Sequence, residues 1–200
     1  MNDKKIYGLT GMSGAGKTTV CKSFEKAGFY IIDCDKLARE VVKKGNPCLN
    51  IIHRLFGGTV ITVDGELDRK AMGNIVFTDG DKLKLLNDTI YPYITYRVIE
   101  MCRNTDRHFV LLDAPTLFES GIDLICDGVV SVVCSREKSV ERIMARDNIS
   151  KESAENRLAS QHDIEYYQSK SNFCIENNSD IDMLKSRAED TARKIINGNY

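Results

Sequence analysis

Two hundred residues suit one α/β domain with inserts and are ample for a buried core. Lysine and arginine number 28 against 29 aspartates and glutamates, a net charge of −1, so bulk charge gives no argument for nucleic acid as a partner. The longest apolar runs, Phe109 to Leu112 and Val129 to Cys134, are strand-sized and too short to span a bilayer, so no membrane association is expected. Met1-Asn2-Asp3-Lys4-Lys5 runs straight into the first apolar segment and leaves no room for a signal peptide. Seven cysteines, odd in number and without a C-x-x-C pair, fit buried thiols in a reducing cytosol, and three scattered histidines make no zinc site.

Lys5-Ile6-Tyr7-Gly8-Leu9-Thr10 predicts a short buried strand, and Thr19 to Ala27 a helix with Val20, Phe24 and Ala27 on one face. Between them, Gly11-Met12-Ser13-Gly14-Ala15-Gly16-Lys17-Thr18 fits G-x-x-x-x-G-K-[ST], the phosphate-binding loop. Chance gives this pattern in on the order of 1% of chains this long, and here it sits between a strand and a helix N-terminus, where its mechanism needs it. Glycines let backbone N–H groups turn inward around an anion, at the positive end of the helix dipole. Lys17 would reach the β- and γ-phosphates and the Thr18 hydroxyl would ligate Mg²⁺. The motif predicts a nucleoside-triphosphate binder.

Phe29 to Ile32 predicts a second strand, parallel to and paired with the first through a right-handed crossover. It runs into Asp33-Cys34-Asp35, where continued extension would point both carboxylates to one side of the crevice beyond the strand ends. Asp35 also precedes a predicted helix, Lys36 to Val42, and suits its N-cap. Cys48 to Phe56 is helical, Thr59 to Val63 is β-prone, and Leu67-Asp68-Arg69 opens a helix carrying Met72, Ile75, Val76 and Phe77. Lys82 to Asn104 is helical, with an interruption expected at Tyr91-Pro92. Residues 47–104 are too long for a crossover and read as a helical insertion, the natural place for a second substrate.

His108 to Asp113 is the clearest buried strand, and its terminal Asp113 is either an acidic element near Mg²⁺ or a strand-end cap. Gly128 to Cys134 is the next strand, after which Ser135 caps the helix Glu137 to Arg146. Arg142 and Arg146 share a face of that helix, and a further helix from Ser150 carries Arg157 and Gln161. Such arginines make either a solvated face or a lid that neutralises a transferring phosphoryl group. Asn172 to Ile175 reads as a last strand, Glu176 to Ser179 as a loop, and Asp182 to Ile196 as a closing amphipathic helix.

The ordered set of segments resembles the dephospho-coenzyme A kinase family over nearly the whole chain. Beyond the generic loop, the resemblance rests on Asp33-x-Asp35 with Ala38-Arg39, Gly45-Asn46-Pro47, Gly65-Glu66-Leu67-Asp68-Arg69, Pro115 to Glu119, Glu141 to Asp147, Arg157 to Gln161, and Ile175-Glu176-Asn177. It implies an α/β P-loop three-layer fold: a parallel five-stranded core (about 1–46, 105–135 and 172–200), an acceptor-binding helical insertion (about 47–104) and a helical lid (about 136–171). It implies that ATP phosphorylates the ribose 3′-hydroxyl of dephospho-coenzyme A in the cytoplasm, with Mg²⁺, in a monomer or small homo-oligomer. Asp35 matches the base, and Lys17 and Arg142 the groups on the phosphates. ATP would lie on Ser13, Gly14, Ala15, Gly16, Lys17, Thr18, Thr19, Arg146 and the adenine loop at Asn177. The acceptor would meet Thr10, Asp35, Arg39, Leu67, Arg69, Tyr91, Pro115, Leu117 and Glu119, and the metal Thr18 and Asp113. The chain departs from the family at Tyr91 (usually His), Thr116 (usually Leu), Tyr167 (usually basic) and Asn172 (usually Asp). A kinase for another small hydroxyl or nucleoside monophosphate, and an ATP-sensing regulator, are the competing readings of the loop.

Overall fold

A computed structural model describes residues 4–198. Contacts divide the chain into two compact units, one formed by the residues up to Ile32 together with those from Thr105 onward, the other by Asp33–Asn104. The second unit begins ahead of the expected residue 47, because the helix α2 (Cys34–Glu40) packs against the long helix α5 (Gly80–Asn104).

The first unit is built on five parallel strands, β1 (Lys5–Gly11), β2 (Tyr30–Asp33), β3 (Phe109–Asp113), β4 (Gly128–Val133) and β5 (Phe173–Glu176), in the order β2-β3-β1-β4-β5. β1 and β4 are buried almost end to end, as strands covered on both faces require. β1 and β2 are not neighbours as expected. The apolar Val110-Leu111-Leu112 of β3, fully buried, takes the inner place, and the half-exposed β2 goes to the edge. Helix α1 (Lys17–Lys26) packs on α9 (Ile181–Ile196), and Val20, Phe24, Leu184 and Ala188 join the strands' core. Helices α6 (Arg136–Asp147), α7 (Lys151–Ala159) and α8 (Ile164–Lys170) contribute Val140, Ile143, Ala154, Leu158 and Tyr167 to that same core. Gln161 therefore lies beyond α7, in the connection to α8. Five of the seven cysteines are buried, Cys126 is half-buried and Cys174, on the edge strand β5, is exposed. Burial pushes the Cys48 thiol up to about 11.

In the second unit α5 packs against α2, α3 (Pro47–Phe56) and α4 (Arg69–Val76). The expected break at Tyr91-Pro92 does not occur. Pro92 removes one backbone donor, but Leu86, Ile94, Val98 and Cys102 are buried along one face on both sides of it, and that packing carries the helix through. The β-prone Thr59 to Val63 makes no strand. Gly58–Val60 is a short 3₁₀ turn, one antiparallel bridge joins Ile61 to Leu67, and Val63 lies fully exposed between them. Phe77 is likewise left outside its helix, at the C-cap of α4, and is exposed.

The segment after β3 is locked to β1 by shape. Leu117 is fully buried, and a Cβ on Gly8 would lie 2.6 and 2.7 Å from its methyl carbons. Removing that side chain leaves a cavity above β1, so Leu117→Ala is expected to cost about 2–5 kcal/mol in urea denaturation. An unchanged midpoint would show that the contact contributes nothing.

Candidate active site

The phosphate loop leaves β1 where only glycine fits. Gly11 has φ of 132°, and a Cβ there would meet the Val132 carbonyl oxygen of β4 at 2.1 Å. Gly14 and Gly16 also lie at positive φ, 75° and 103°, which other residues rarely adopt. Added Cβ atoms would sit 2.9 Å from the Ser139 carbonyl oxygen and 2.8 Å from Asn177 Nδ2 respectively. Gly16 stands at the N-cap of α1 without a side-chain cap, so the positive end of the helix dipole meets no capping side chain and suits an anion. Lys17 Nζ donates to the carbonyls of Gly11 at 2.7 Å and Met12 at 3.1 Å, which holds its ammonium within the turn of the loop. Ala15 is buried, Thr18 is exposed, and the Thr19 N–H donates to the Gly16 carbonyl.

Three side chains from distant parts of the first unit grip this loop. Asn177, 5% exposed just after β5, donates from Nδ2 to the Ala15 carbonyl at 2.7 Å. Arg142 of α6 donates to the Gly14 and Asn177 carbonyls at 3.3 Å, and to Asn177 Oδ1 at 3.4 Å. Gln161 accepts from the Ser13 N–H at 2.9 Å and donates to Ser13 Oγ at 3.0 Å. Asn178 Oδ1 accepts from the Ser135 N–H, tying the loop after β5 to the start of α6.

Asp113 closes β3, paired in register with Leu9 and half-buried. An exposed hydroxyl at Thr18 and a carboxylate on the neighbouring strand end are hard oxygen donors of the kind Mg²⁺ takes along with substrate phosphates. Thr10 is fully buried and donates to the Pro115 carbonyl at 3.2 Å, so it braces the segment after β3 rather than facing a ligand. The same holds for the side chain of Leu117. Glu119 is exposed and 3.4 Å from His162, whose ring stacks on Tyr166 with centroids 3.6 Å apart. Tyr167 is a core residue, 3% exposed, and burial pushes its phenol up to about 12, so this departure from the family pattern does not reach a phosphate.

Arg146 is held by its neighbour. Its Nε and a terminal nitrogen each donate to Asp147 at 2.8 Å, and Arg157 of α7 donates to the same carboxylate. Arg142 and Arg146 thus have different surroundings despite sharing a helix face: one grips the loop, the other closes an α6–α7 clamp.

In the second unit the N-cap of α2 is Asp33, whose carboxylate accepts from the Lys36 N–H at 2.8 Å, and not Asp35 as expected. Cys34 is already helical, so the two aspartates do not share an extended segment, and Asp35 is exposed in the first turn. Arg69 donates to the Arg39 carbonyl at 3.4 Å, and Asp68 caps α4 by accepting from Lys70 and Ala71. Leu67 forms the bridge with Ile61, and Tyr91 is half-buried within α5.

The model of the family described as dephospho-CoA kinase matches residues 5–183. The chain belongs to the dephospho-CoA kinase family. A dephospho-CoA kinase of Enterococcus faecalis is 36% identical over 175 residues, covering 86% of this chain and 88% of the relative. The dephospho-CoA kinase structure from Campylobacter jejuni superposes with a TM-score of 0.73 at 29% identity, covering 98% of this chain and 100% of that one. A Thermus thermophilus structure reaches a TM-score of 0.82 at 28% identity, covering 98% of both chains. The chain is therefore a kinase of the P-loop type, and among its described residues no helix is long and apolar enough to cross a membrane.

Family membership leaves two features of the site that sequence reading did not find. Neither the paired contact of Gln161 with Ser13 nor the Asp147 clamp has a local signal, apart from a carboxylate beside Arg146. The Arg146 hydrogen bonds, aided by Arg157, hold the Asp147 carboxyl down at about 2. A carboxylate depressed below its unfolded value of about 3.9 stabilises the fold fully above that value, and the contribution is lost as pH falls through the folded one. Urea midpoints should therefore fall more steeply between about pH 4 and pH 2 in wild type than in Asp147→Asn, by a small margin because the pair is solvent-screened. Parallel curves would mean that the clamp does not contribute.

Proposed function

We propose that the chain transfers the γ-phosphoryl group of ATP to the ribose 3′-hydroxyl of dephospho-coenzyme A, giving coenzyme A and ADP, the final step of coenzyme A biosynthesis. The observation that carries this is a complete phosphate loop, with Lys17 inside it and Arg142 and Asn177 gripping its carbonyls, in a chain matching the family over residues 5–183. Its partners in this reading are its two substrates and no nucleic acid, in a cytoplasmic monomer or small homo-oligomer.

ATP would lie on Ser13 to Thr19 with its phosphates at the N-terminus of α1, and Arg142 would turn from its long bonds on the loop toward the phosphoryl oxygens. Arg146, once released from Asp147, and Asn177 complete the nucleotide's surroundings. Thr18 and Asp113 would hold Mg²⁺, which neutralises phosphate charge when bound. On the family resemblance, Asp35, Arg39, Leu67, Arg69, Tyr91, Pro115 and Glu119 are the residues that would meet the acceptor. The acceptor oxygen bonds to the γ-phosphorus, its proton passes to Asp35, and the bond to the β-phosphate oxygen breaks to release ADP. The transition state of such transfers is loose and charge-spread, so positioning and charge stabilisation supply most of the rate.

Coupled ADP release with Mg-ATP should be seen with dephospho-coenzyme A and not with adenosine, AMP or shikimate, and the product should carry a 3′-phosphate. Turnover on another acceptor would keep the kinase and overturn its substrate; ATP binding without turnover on any acceptor would favour the regulator. Asp35→Asn should lower kcat by about 10²–10⁴ if Asp35 is the general base, with ATP affinity nearly intact and the α2 cap retained by Asp33. Wild-type turnover in that variant would remove Asp35 from the chemistry.

A further inference from the structure

Gln161 sits in a short connection that is tied down on both sides. Its backbone N–H donates to the carbonyl of Leu158, which is buried in the core, at 3.1 Å. Three residues on, α8 starts under the cap of Asp163, whose carboxylate accepts from the Tyr166 N–H at 2.8 Å, with Tyr167 buried beneath. The side chain thus projects from a short connection anchored at both ends onto Ser13, in a loop whose glycines at 11, 14 and 16 leave it little stiffness of its own.

The chemistry of the contact sets its sense. The Ser13 N–H can only donate, so the amide oxygen of Gln161 must face it, and Nε2 must then donate to Ser13 Oγ. With a lone pair of Oγ engaged, the hydroxyl proton points elsewhere and is free to donate to an anion in the loop. Lys17, Arg142 and Asn177 all hold loop carbonyls. Gln161 instead takes the N–H and the hydroxyl of a single residue, ahead of the turn at Gly14.

We infer that Gln161 is a positioning residue for the nucleotide: it fixes Ser13 in the phosphate loop and orients the Ser13 hydroxyl as a donor toward the phosphates. The inference rests on the loop binding ATP but not on the identity of the acceptor. It makes the α7–α8 connection part of the nucleotide site without direct contact with the ligand.

The test is the affinity for ATP, measured by calorimetry without acceptor, together with the melting temperature and separate KM values for the two substrates. Gln161→Ala, which removes both hydrogen bonds, should weaken ATP binding about tenfold and raise the KM for ATP, with the KM for the acceptor unchanged. Gln161→Met, which keeps the side-chain length and packing, should behave like Gln161→Ala. Gln161→Glu should also weaken ATP binding, because a carboxylate accepts from the hydroxyl and turns its proton away from the phosphates. In a Ser13→Ala background the effect of Gln161→Ala should shrink, since only the backbone bond remains to be lost. Wild-type ATP affinity in both Gln161→Ala and Gln161→Met overturns the proposal. So does full additivity with Ser13→Ala, or a loss matched only by a fall in melting temperature. Failure of dephospho-coenzyme A to be phosphorylated would leave these binding results unaffected and would count against the acceptor alone.

Discussion

A loop that turns its amides inward around an anion has carbonyls pointing the other way, and those carbonyls need donors. Much of the first unit is arranged around that need. Lys17 meets the carbonyls of Gly11 and Met12, Arg142 that of Gly14 and Asn177 that of Ala15. The donors come from the loop itself, from α6 and from the turn after β5, so the sheet order that sets β4 beside β1 and β5 beside β4 is what brings them within reach. A buried carbonyl without a donor costs about 1–3 kcal/mol, which makes the grip on the loop a folding requirement before it is a catalytic one.

The lengths of these bonds separate two kinds of grip. Asn177 holds Ala15 at 2.7 Å from a buried position and fills the space that a side chain at Gly16 would need. It is a fixed strut. Arg142 reaches its three acceptors at 3.3 to 3.4 Å, spreading a fork-shaped group over targets none of which it binds closely. A guanidinium in weak bonds gives up little when a phosphate offers a charge-assisted, bidentate alternative. Arg146 begins from a different place, since two bonds of 2.8 Å to Asp147 must break before it can turn to a nucleotide.

The sequence was most informative where one residue type has one physical use. The glycines and lysine of the loop, the cap at Ser135 and the buried runs of β1, β3 and β4 are found where they were expected. It misled where a local preference competes with packing. Pro92 should break a helix, but the buried face of α5 continues through it. Thr59 to Val63 has strand propensity but forms a 3₁₀ turn and the bridge of Ile61 with Leu67, and Asp35 suits a cap that Asp33, two residues earlier, takes instead. Strand order escaped because sequence adjacency favours pairing β2 with β1, while the depth of burial of β3 decides the inner place. The contacts of Gln161 and Asn177 with the loop cross 148 and 162 residues of chain, and no local pattern carries that information.

The packing of Leu117 over Gly8 has a consequence for how the chain tolerates change. The two positions share one volume, lying on segments that single-residue scanning would treat as unrelated. A methyl group at position 8 is admissible only where position 117 retreats, so Gly8→Ala alone overpacks the space and Leu117→Val alone hollows it. The two together come closer to conserving volume. Variation at these sites is thus constrained as a sum, and a lineage can cross from one solution to the other only through an intermediate that is either strained or loosely packed.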